Sequence, residues 1–500
     1  MPVGTRTIGR NPDEIRVLIE DFLQTCKEPA LLEPGEELFP LPPENFSLEV
    51  RGSRVTIQAW DRERNLTRKI VAAEVTSAGR LELTIERFAK RQSPAYLLDL
   101  ARPSGVEMSR RSERLIFRER FRLLLRRQFP EWNLTELSAE ANLEFSLSPS
   151  FPRAFLRHGQ FGWAAIACPP DGDQGAVLTF GLIWLSHLRR RERRVAVEGL
   201  ALYLPAGQEH STALRLRHLN PSSARFNLFT YSPRDHVAAV DPRDCGNLDT
   251  RLDPCRRPLP NIDHPWGRIV SLPAVESIVL HDGRVSLRVR GVEFAMLKGA
   301  DLFFGLHQRH PASSRHIPEI MRLVEELDRA RAADTETREH PLYRQSPEAW
   351  LESQVRAQLD VVDAALERDP VYGQVPAFAG GERGVLDLLA VDYSGRLAVL
   401  ELKASADIHL PLQALDYWLR VDWHLKRDEF TANGYFPGIE LQRQSPRLLL
   451  VSPSLEFHPT SEIILSYLAP QIEVERIGLA LEWRRGLETM FRLRGAERPR

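Results

Sequence analysis

The stretch GVLDLLAVDYSGRLAVLELKA, Gly384 to Ala404, decides the fold of the last third of this chain. Two apolar runs, GVLDLLAVD (384–392) and RLAVLELKA (396–404), flank the short turn YSG, the pattern of a β-hairpin. Both runs are apolar on both faces, so the hairpin is expected to lie in a covered sheet. Charged residues inside such strands need a reason. Asp387 sits between Leu386 and Leu388, while Glu401 and Lys403 follow Leu397, Ala398, Val399 and Leu400. Residues i and i+2 of a strand share a face, so Glu401 and Lys403 point the same way. A three-residue turn centred on Ser394 puts Asp387 opposite Glu401 on that face. Buried charges are costly unless they are paired or bound to a metal. Two carboxylates and a backbone carbonyl, that of Leu402, form a hard-oxygen site suited to Mg²⁺ or Mn²⁺. Such a site suits hydrolysis of a phosphodiester, with Lys403 holding the attacking water or stabilising the transition state. The alternative is a buried ion-pair cluster without catalysis.

The flanks extend the pattern. PEAWLESQVRAQL (347–359) reads as a helix opened by Pro347, with Leu351, Val355 and Leu359 as its buried stripe and Glu352 beside them. A strand over 371–378 and a turn at Gly380-Gly381 follow. Downstream, LQALDYW (412–418) is helical, with Gln413 and Tyr417 four residues apart on one face. The arrangement D-x13-E-x-K on adjacent strands after a Glu-bearing helix resembles the PD-(D/E)XK nuclease superfamily. The Q-x3-Y of the next helix is similar to the RecB-like motif beside that active site. The hairpin itself particularly resembles NucS-like and related RecB-like endonucleases. Over about residues 347–480, the resemblance implies a restriction-endonuclease-like α/β/α core with a mixed sheet. It implies a metal-dependent endonuclease acting on DNA. Asp387, Glu401, the Leu402 carbonyl and Glu352 (or Glu348) would surround Mg²⁺ or Mn²⁺. Lys403, Gln413 and Tyr417 would complete the catalytic set, the last two ordering the lysine and contacting the nucleic-acid backbone. Leu386 stands where the superfamily's name has Pro.

Composition supports this indirectly. Among 67 basic residues only six are Lys, so Lys403 suggests a need for an ammonium over a guanidinium. The formal net charge of −1 excludes a general polycation, and any nucleic-acid contact must come from local basic patches. Four cysteines do not make a disulfide framework, and Cys245 and Cys255 lack the partners of a zinc site. Met1 to Arg16 has no apolar core, and no window approaches the ~18 apolar residues of a membrane span. The expectation is a reduced, cytoplasmic protein without a membrane partner.

Five hundred residues imply several cores. The chain divides into an N-terminal α+β module (1–105), an α/β module (106–235), a β-rich module plus helix (236–335) and the nuclease-like domain (336–500). Two basic runs stand out, SRRSERLIFRERFRLLLRR (109–127) and RRRERR (189–194), each either a phosphate-contacting surface or a solvated helix face. Module 106–235 also reads as a degenerate copy of the last domain. Aligning Ala167 with Glu401 brings Trp184 onto Trp418 and Arg153 onto Asp387. Pro169, Thr179 and Ile183 then replace Lys403, Gln413 and Tyr417, a set unable to bind metal. The rival to catalysis is a silent nucleic-acid-binding or assembly protein on the same fold.

Overall fold

In the computed structural model, the strands form four sheets. The structure describes every residue except 1–7, 10, 34–38, 42–45, 52–53, 61–64, 78, 87–91, 102–109, 256–264, 281–282, 307, 336–337, 380–381 and 498–500. The expected turn at Gly380-Gly381 lies outside the described residues. The chain is mixed α/β and separates into two compact units. One comprises Met1–Glu209 with Arg225–Val240, the other His210–Ala224 with Asp241–Arg500.

In the first unit, an antiparallel sheet runs in the order Phe39–Pro40, Pro29–Leu32, Gln92–Asp99, Arg80–Glu86, Asn65–Ser77, Arg54–Trp60, Phe46–Arg51. The helix Pro12–Thr25 lies against it, burying Ile15, Ile19 and Phe22. Its start is fixed by a capping box, in which the Asn11 side chain accepts from the Glu14 N–H at 2.8 Å. A second sheet follows in the order Asn133–Ser138, Arg153–His158, Phe161–Ala167, Ala196–Pro205, Arg225–Tyr231, Val237–Val240. Its successive pairings are antiparallel, antiparallel, parallel, parallel, antiparallel. The helix Val177–Arg191, buried along much of its length from Val177 to Leu188, makes the crossover between its third and fourth strands.

The second unit begins with an antiparallel sheet, Glu276–Val279, Val285–Val289, Val292–Lys298, Asp301–Phe304 and His310–Pro311, covered by the helix Ile317–Ala330. Gly267–Val270 precedes this strand set as a helical turn. The last sheet has the order Tyr372–Ala379, Glu382–Val391, Leu397–Leu402, Arg447–Pro453, Val474–Leu479, Thr489–Arg494. Its pairings repeat the sequence antiparallel, antiparallel, parallel, parallel, antiparallel. The helix Leu410–Leu425 again joins the third strand to the fourth. Two of the four sheets therefore trace the same path.

Alternation along the hairpin assigns its faces. Leu388, Ala390, Ala398, Leu400 and Leu402 join Trp350, Leu351 and Val355 of the helix Pro347–Ala357 in one core. Asp387, Glu401 and Lys403 therefore point to the opposite face. Trp350 is the hub of the core. Its ring meets Tyr343 at 5.3 Å and Trp483 at 5.9 Å edge-on, under the guanidinium of Arg331 at 4.4 Å. Arg331 in turn donates to the carbonyls of Leu342 and Gln345 at 2.6 Å each, tying down the approach to the helix. We expect Trp350→Ala to destabilise this unit by roughly 3–5 kcal/mol, the range for emptying a fully buried aromatic site. Trp350→Phe is expected to cost distinctly less, and urea denaturation of the two variants measures the difference.

Candidate active site

The hairpin register builds the site. Backbone pairs run from Val391↔Leu397 to Leu388↔Leu400, and the position beyond the last pair sets Asp387 across from Glu401. There the backbone ladder gives way to a side chain. The Leu402 N–H donates to Asp387 Oδ2 at 2.8 Å. An N–H and C=O of one residue project to the same edge of a strand, so the Leu402 carbonyl also faces Asp387. The other edge is occupied by the parallel neighbour, where the Lys403 N–H donates to the Val451 carbonyl at 3.0 Å.

Glu401 is 3% exposed, and its Oε2 is buried with no hydrogen-bond partner among the described residues. Lys403 Nζ lies 3.8 Å from Glu401 Oε1, 3.6 Å from Asp407 Oδ2 and 4.0 Å from Glu348 Oε1. Burial pushes the Asp387 carboxyl up to about 7, against the Leu402 hydrogen bond and with help from the Glu352 charge. Burial and the neighbouring Asp387 hold Glu401 well above the usual carboxylate range. For Lys403, burial works downward, but Glu401, Glu348, Asp407 and Asp387 together raise it, so it stays an ammonium. Tyr417 of the helix Leu410–Leu425 senses the same carboxylates. Burial raises its phenol most, followed by Glu401 and Asp387. Gln413 is half-buried one turn earlier on that helix.

The two helix glutamates have different neighbours. Glu352 is buried and engaged by arginines, Arg356 at 2.6 Å and Arg288 of the preceding sheet at 3.8 Å. Glu348, one turn earlier and half-exposed, approaches Lys403. Sequence reasoning centred on Glu352 had no means of seeing Arg288, which lies 64 positions upstream. Asp407, four residues after Lys403, joins the cluster through that lysine.

Other candidates have other partners. In the helix Arg110–Gln128, Arg118 and Arg122 pair with Glu119 at 2.7 and 3.0 Å, and Arg120 pairs with Asp235 at 2.6 Å. Arg118 is buried, and Arg120 and Arg122 are partly so. In the run 189–194, Arg191 pairs with Glu136 and Glu192, each at 2.8 Å. His424 lies between Glu429 and Thr250. All four cysteines are free thiols.

The second sheet carries no acids at the matching positions. Arg153 pairs with Ile166, so Ile166 holds the place across from Arg153 that the sequence alignment assigned to Ala167. The Cys168 N–H donates to the Tyr203 carbonyl at 2.9 Å, as Lys403 does to Val451. A two-residue turn in this hairpin, one residue shorter than YSG, accounts for the shift. Arg153 itself is 5% exposed, with its guanidinium 5.6 Å from the Trp184 ring. Thr179 and Ile183 are buried.

No protein-family model and no curated protein matches the chain. Among solved structures, the crystal structure of a repair endonuclease from Pyrococcus abyssi is similar over 46% of this chain and 100% of that chain, at 11% identity and a TM-score of 0.16. A score that low carries no argument about this chain. The case rests on the residues.

Among the described residues, no three His, Cys, Asp or Glu side chains converge to hold a metal ion by themselves. The set here is two carboxylates and a backbone carbonyl. It fits a hard divalent cation on two observations: Glu401 Oε2 is buried without a donor, and both carboxyls resist ionising where they stand. A cation would relieve both. Among the described residues, no helix is long and apolar enough to cross a membrane.

Because the folded Asp387 carboxyl titrates near 7 against an ordinary 3.8, the folded chain binds more protons than the unfolded one between those values. Stability without divalent ions should therefore fall as pH rises through that window. The melting temperature in EDTA is expected to drop from pH 5 to pH 8 for the native chain, and by clearly less for Asp387→Asn. Equal slopes would show that Asp387 is not held in its neutral form.

Proposed function

We propose that this chain is a Mg²⁺- or Mn²⁺-dependent nuclease of the PD-(D/E)XK kind, hydrolysing phosphodiester bonds of DNA. The observation that carries the reading is the part-buried Asp387 across from the buried Glu401 beside Lys403, with Glu401 Oε2 lacking a donor among the described residues. An ion-pair cluster kept for structure would satisfy that oxygen, since one unpaired buried charge cancels much of the gain from pairing. Asp387, Glu401 and the Leu402 carbonyl would hold the cation, with Glu348 better placed than Glu352 as the outer carboxylate, since two arginines occupy Glu352. A bound divalent ion would lower the pKa of water and neutralise charge on the phosphate.

The chain's own groups do the rest. Lys403, kept cationic by four surrounding carboxylates, donates toward the attacking water or the non-bridging oxygens of the phosphate. Asp407 and Glu348 hold its Nζ in place. Gln413 and Tyr417 present neutral donors from the helix above the strands, since burial beside the carboxylates keeps the phenol protonated.

The division into modules 1–105, 106–235, 236–335 and 336–500 is part of the proposal, and so is the descent of 106–235 and 336–500 from one duplicated unit. The shared six-strand path of the two sheets supports it. Arg153 and Ile166 in place of acids would leave the earlier copy without hydrolytic capacity.

The test is cleavage of single-stranded, double-stranded and branched DNA, and of RNA, with Mn²⁺ or EDTA. We expect cutting of DNA that EDTA abolishes. Lys403→Ala should lower it roughly 10²–10³-fold, the scale for removing one preorganised donor. Asp387→Ala should abolish both cutting and calorimetric Mn²⁺ binding. Cutting that survives both substitutions would sink the assignment. If no nucleic acid is cut and Mn²⁺ does not bind, the fold is a silent one.

A further inference from the structure

The second unit contains a short segment taken from an earlier part of the chain, His210–Ala224, which follows the fourth strand of the second sheet. Three contacts join it to the elements around the candidate site. Arg215 makes a two-pronged bond to Asp416, Nε to Oδ1 at 2.9 Å and Nη2 to Oδ2 at 2.7 Å. His218 meets the Trp418 ring edge-on at 6.0 Å. The backbone closes a bridge at Leu219↔Leu468, with the Asn220 N–H donating to the Tyr467 carbonyl at 2.8 Å and the Ala469 N–H to the His218 carbonyl at 2.9 Å.

Asp416 and Trp418 flank Tyr417 on the helix Leu410–Leu425, and Gln413 lies one turn before Tyr417. A planar guanidinium held at both nitrogens fixes direction as well as distance, which a single ion contact does not. Arg215 is 6% exposed, so water competes little with the bond. Asp416 also serves a second guanidinium, because Arg420 Nη1 donates to its backbone carbonyl at 2.8 Å. One guanidinium thus holds the Asp416 carboxylate and the other its main chain. The strands carrying Asp387, Glu401 and Leu402 are held separately, by their own ladder and by the Leu402-to-Asp387 bond.

We propose that Arg215 is a positioning residue for the nuclease site, and that His210–Ala224 clamps the helix carrying Gln413 and Tyr417 from outside the nuclease-like domain. The inference rests on the function proposed above. It separates two parts of the site: the cation is held by the strands, and the neutral donors are set by the clamp. Residues 336–500 alone would keep the metal-binding strands and lose the setting of the helix.

The experiment uses the full chain with Arg215→Ala, Arg215→Lys and the swap of Arg215→Asp with Asp416→Arg. We expect Arg215→Ala to lower kcat for DNA cleavage about 10- to 100-fold, the scale on which orienting residues act, with Mn²⁺ affinity by calorimetry unchanged. Arg215→Lys, a single-point donor, should recover only part, and the swap should recover more than either of its single changes. Amide exchange in 410–425 should quicken in Arg215→Ala while 397–402 and 447–453 keep their protection. A kcat and an exchange pattern like those of the unaltered chain would overturn the clamp, and so would parallel losses of kcat, Mn²⁺ affinity and strand protection, which mean general loosening. If the unaltered chain cuts nothing, the nuclease reading falls. The exchange pattern then decides the clamp by itself.

Discussion

The hydrogen bond from the Leu402 N–H to the Asp387 carboxylate is the constraint on which the candidate site depends. An ordinary hairpin would continue its backbone ladder past Leu388↔Leu400 and bury two more apolar residues. Here a side-chain oxygen takes the donor that a backbone carbonyl would have taken. That substitution satisfies a buried N–H, whose loss would be costly, and holds a carboxylate within a sheet interior that otherwise admits only apolar groups. It also leaves the Leu402 carbonyl facing the same carboxylate. A buried acid, a carbonyl and a second acid are thus held together by the geometry of strand pairing, before any ligand is considered.

The charges so gathered are not balanced by the chain. Lys403 is one cation among Glu401, Asp387, Asp407 and Glu348. Burial first, and neighbouring acids after it, push Asp387 and Glu401 toward their neutral forms. Two carboxylates nearby are balanced. Asp363 is met by Arg447 and Arg492 and is held below its usual range, and Glu352 has Arg356 and Arg288. Against those two, Glu401 lacks a matching cation. Such a deficit beside a second acid is a pattern expected where function, and not stability, sets the residues.

The parts of the site that follow from local pattern were legible in the sequence. The hairpin register, the shared face of Glu401 and Lys403, and the helix bearing Gln413 and Tyr417 all rest on periods of two and about 3.6, and the structure has each. What the sequence left unreadable depends on distant partners. Between Glu352 and Glu348 the sequence could only prefer the one beside the apolar stripe, with no sign that a strand residue, Arg288, engages it. Arg215 carries no local signal, since its partner lies 201 positions away. The basic helix misled in the same way. Its charge was read as a phosphate-contacting or a solvated face, while Glu119 and Asp235, invisible as partners in the sequence, engage Arg118, Arg120 and Arg122.

The two sheets of identical path show how narrow the chemical requirement is. Both hairpins run antiparallel into a parallel third and fourth strand, and both use a crossover helix with a Trp at the corresponding place, Trp184 and Trp418. The indoles nonetheless donate to different carbonyls, Ala154 and Pro446. At the position across the hairpin, one sheet has Asp387 facing Glu401 and the other has Arg153 facing Ile166. An arginine there brings its own positive charge, shielded by an indole ring, and needs no cation from solution. A pair of acids at the same place is tolerable only with a counter-charge nearby. The architecture accepts either solution, so it is the acids, and not the fold that frames them, that carry the argument for hydrolysis.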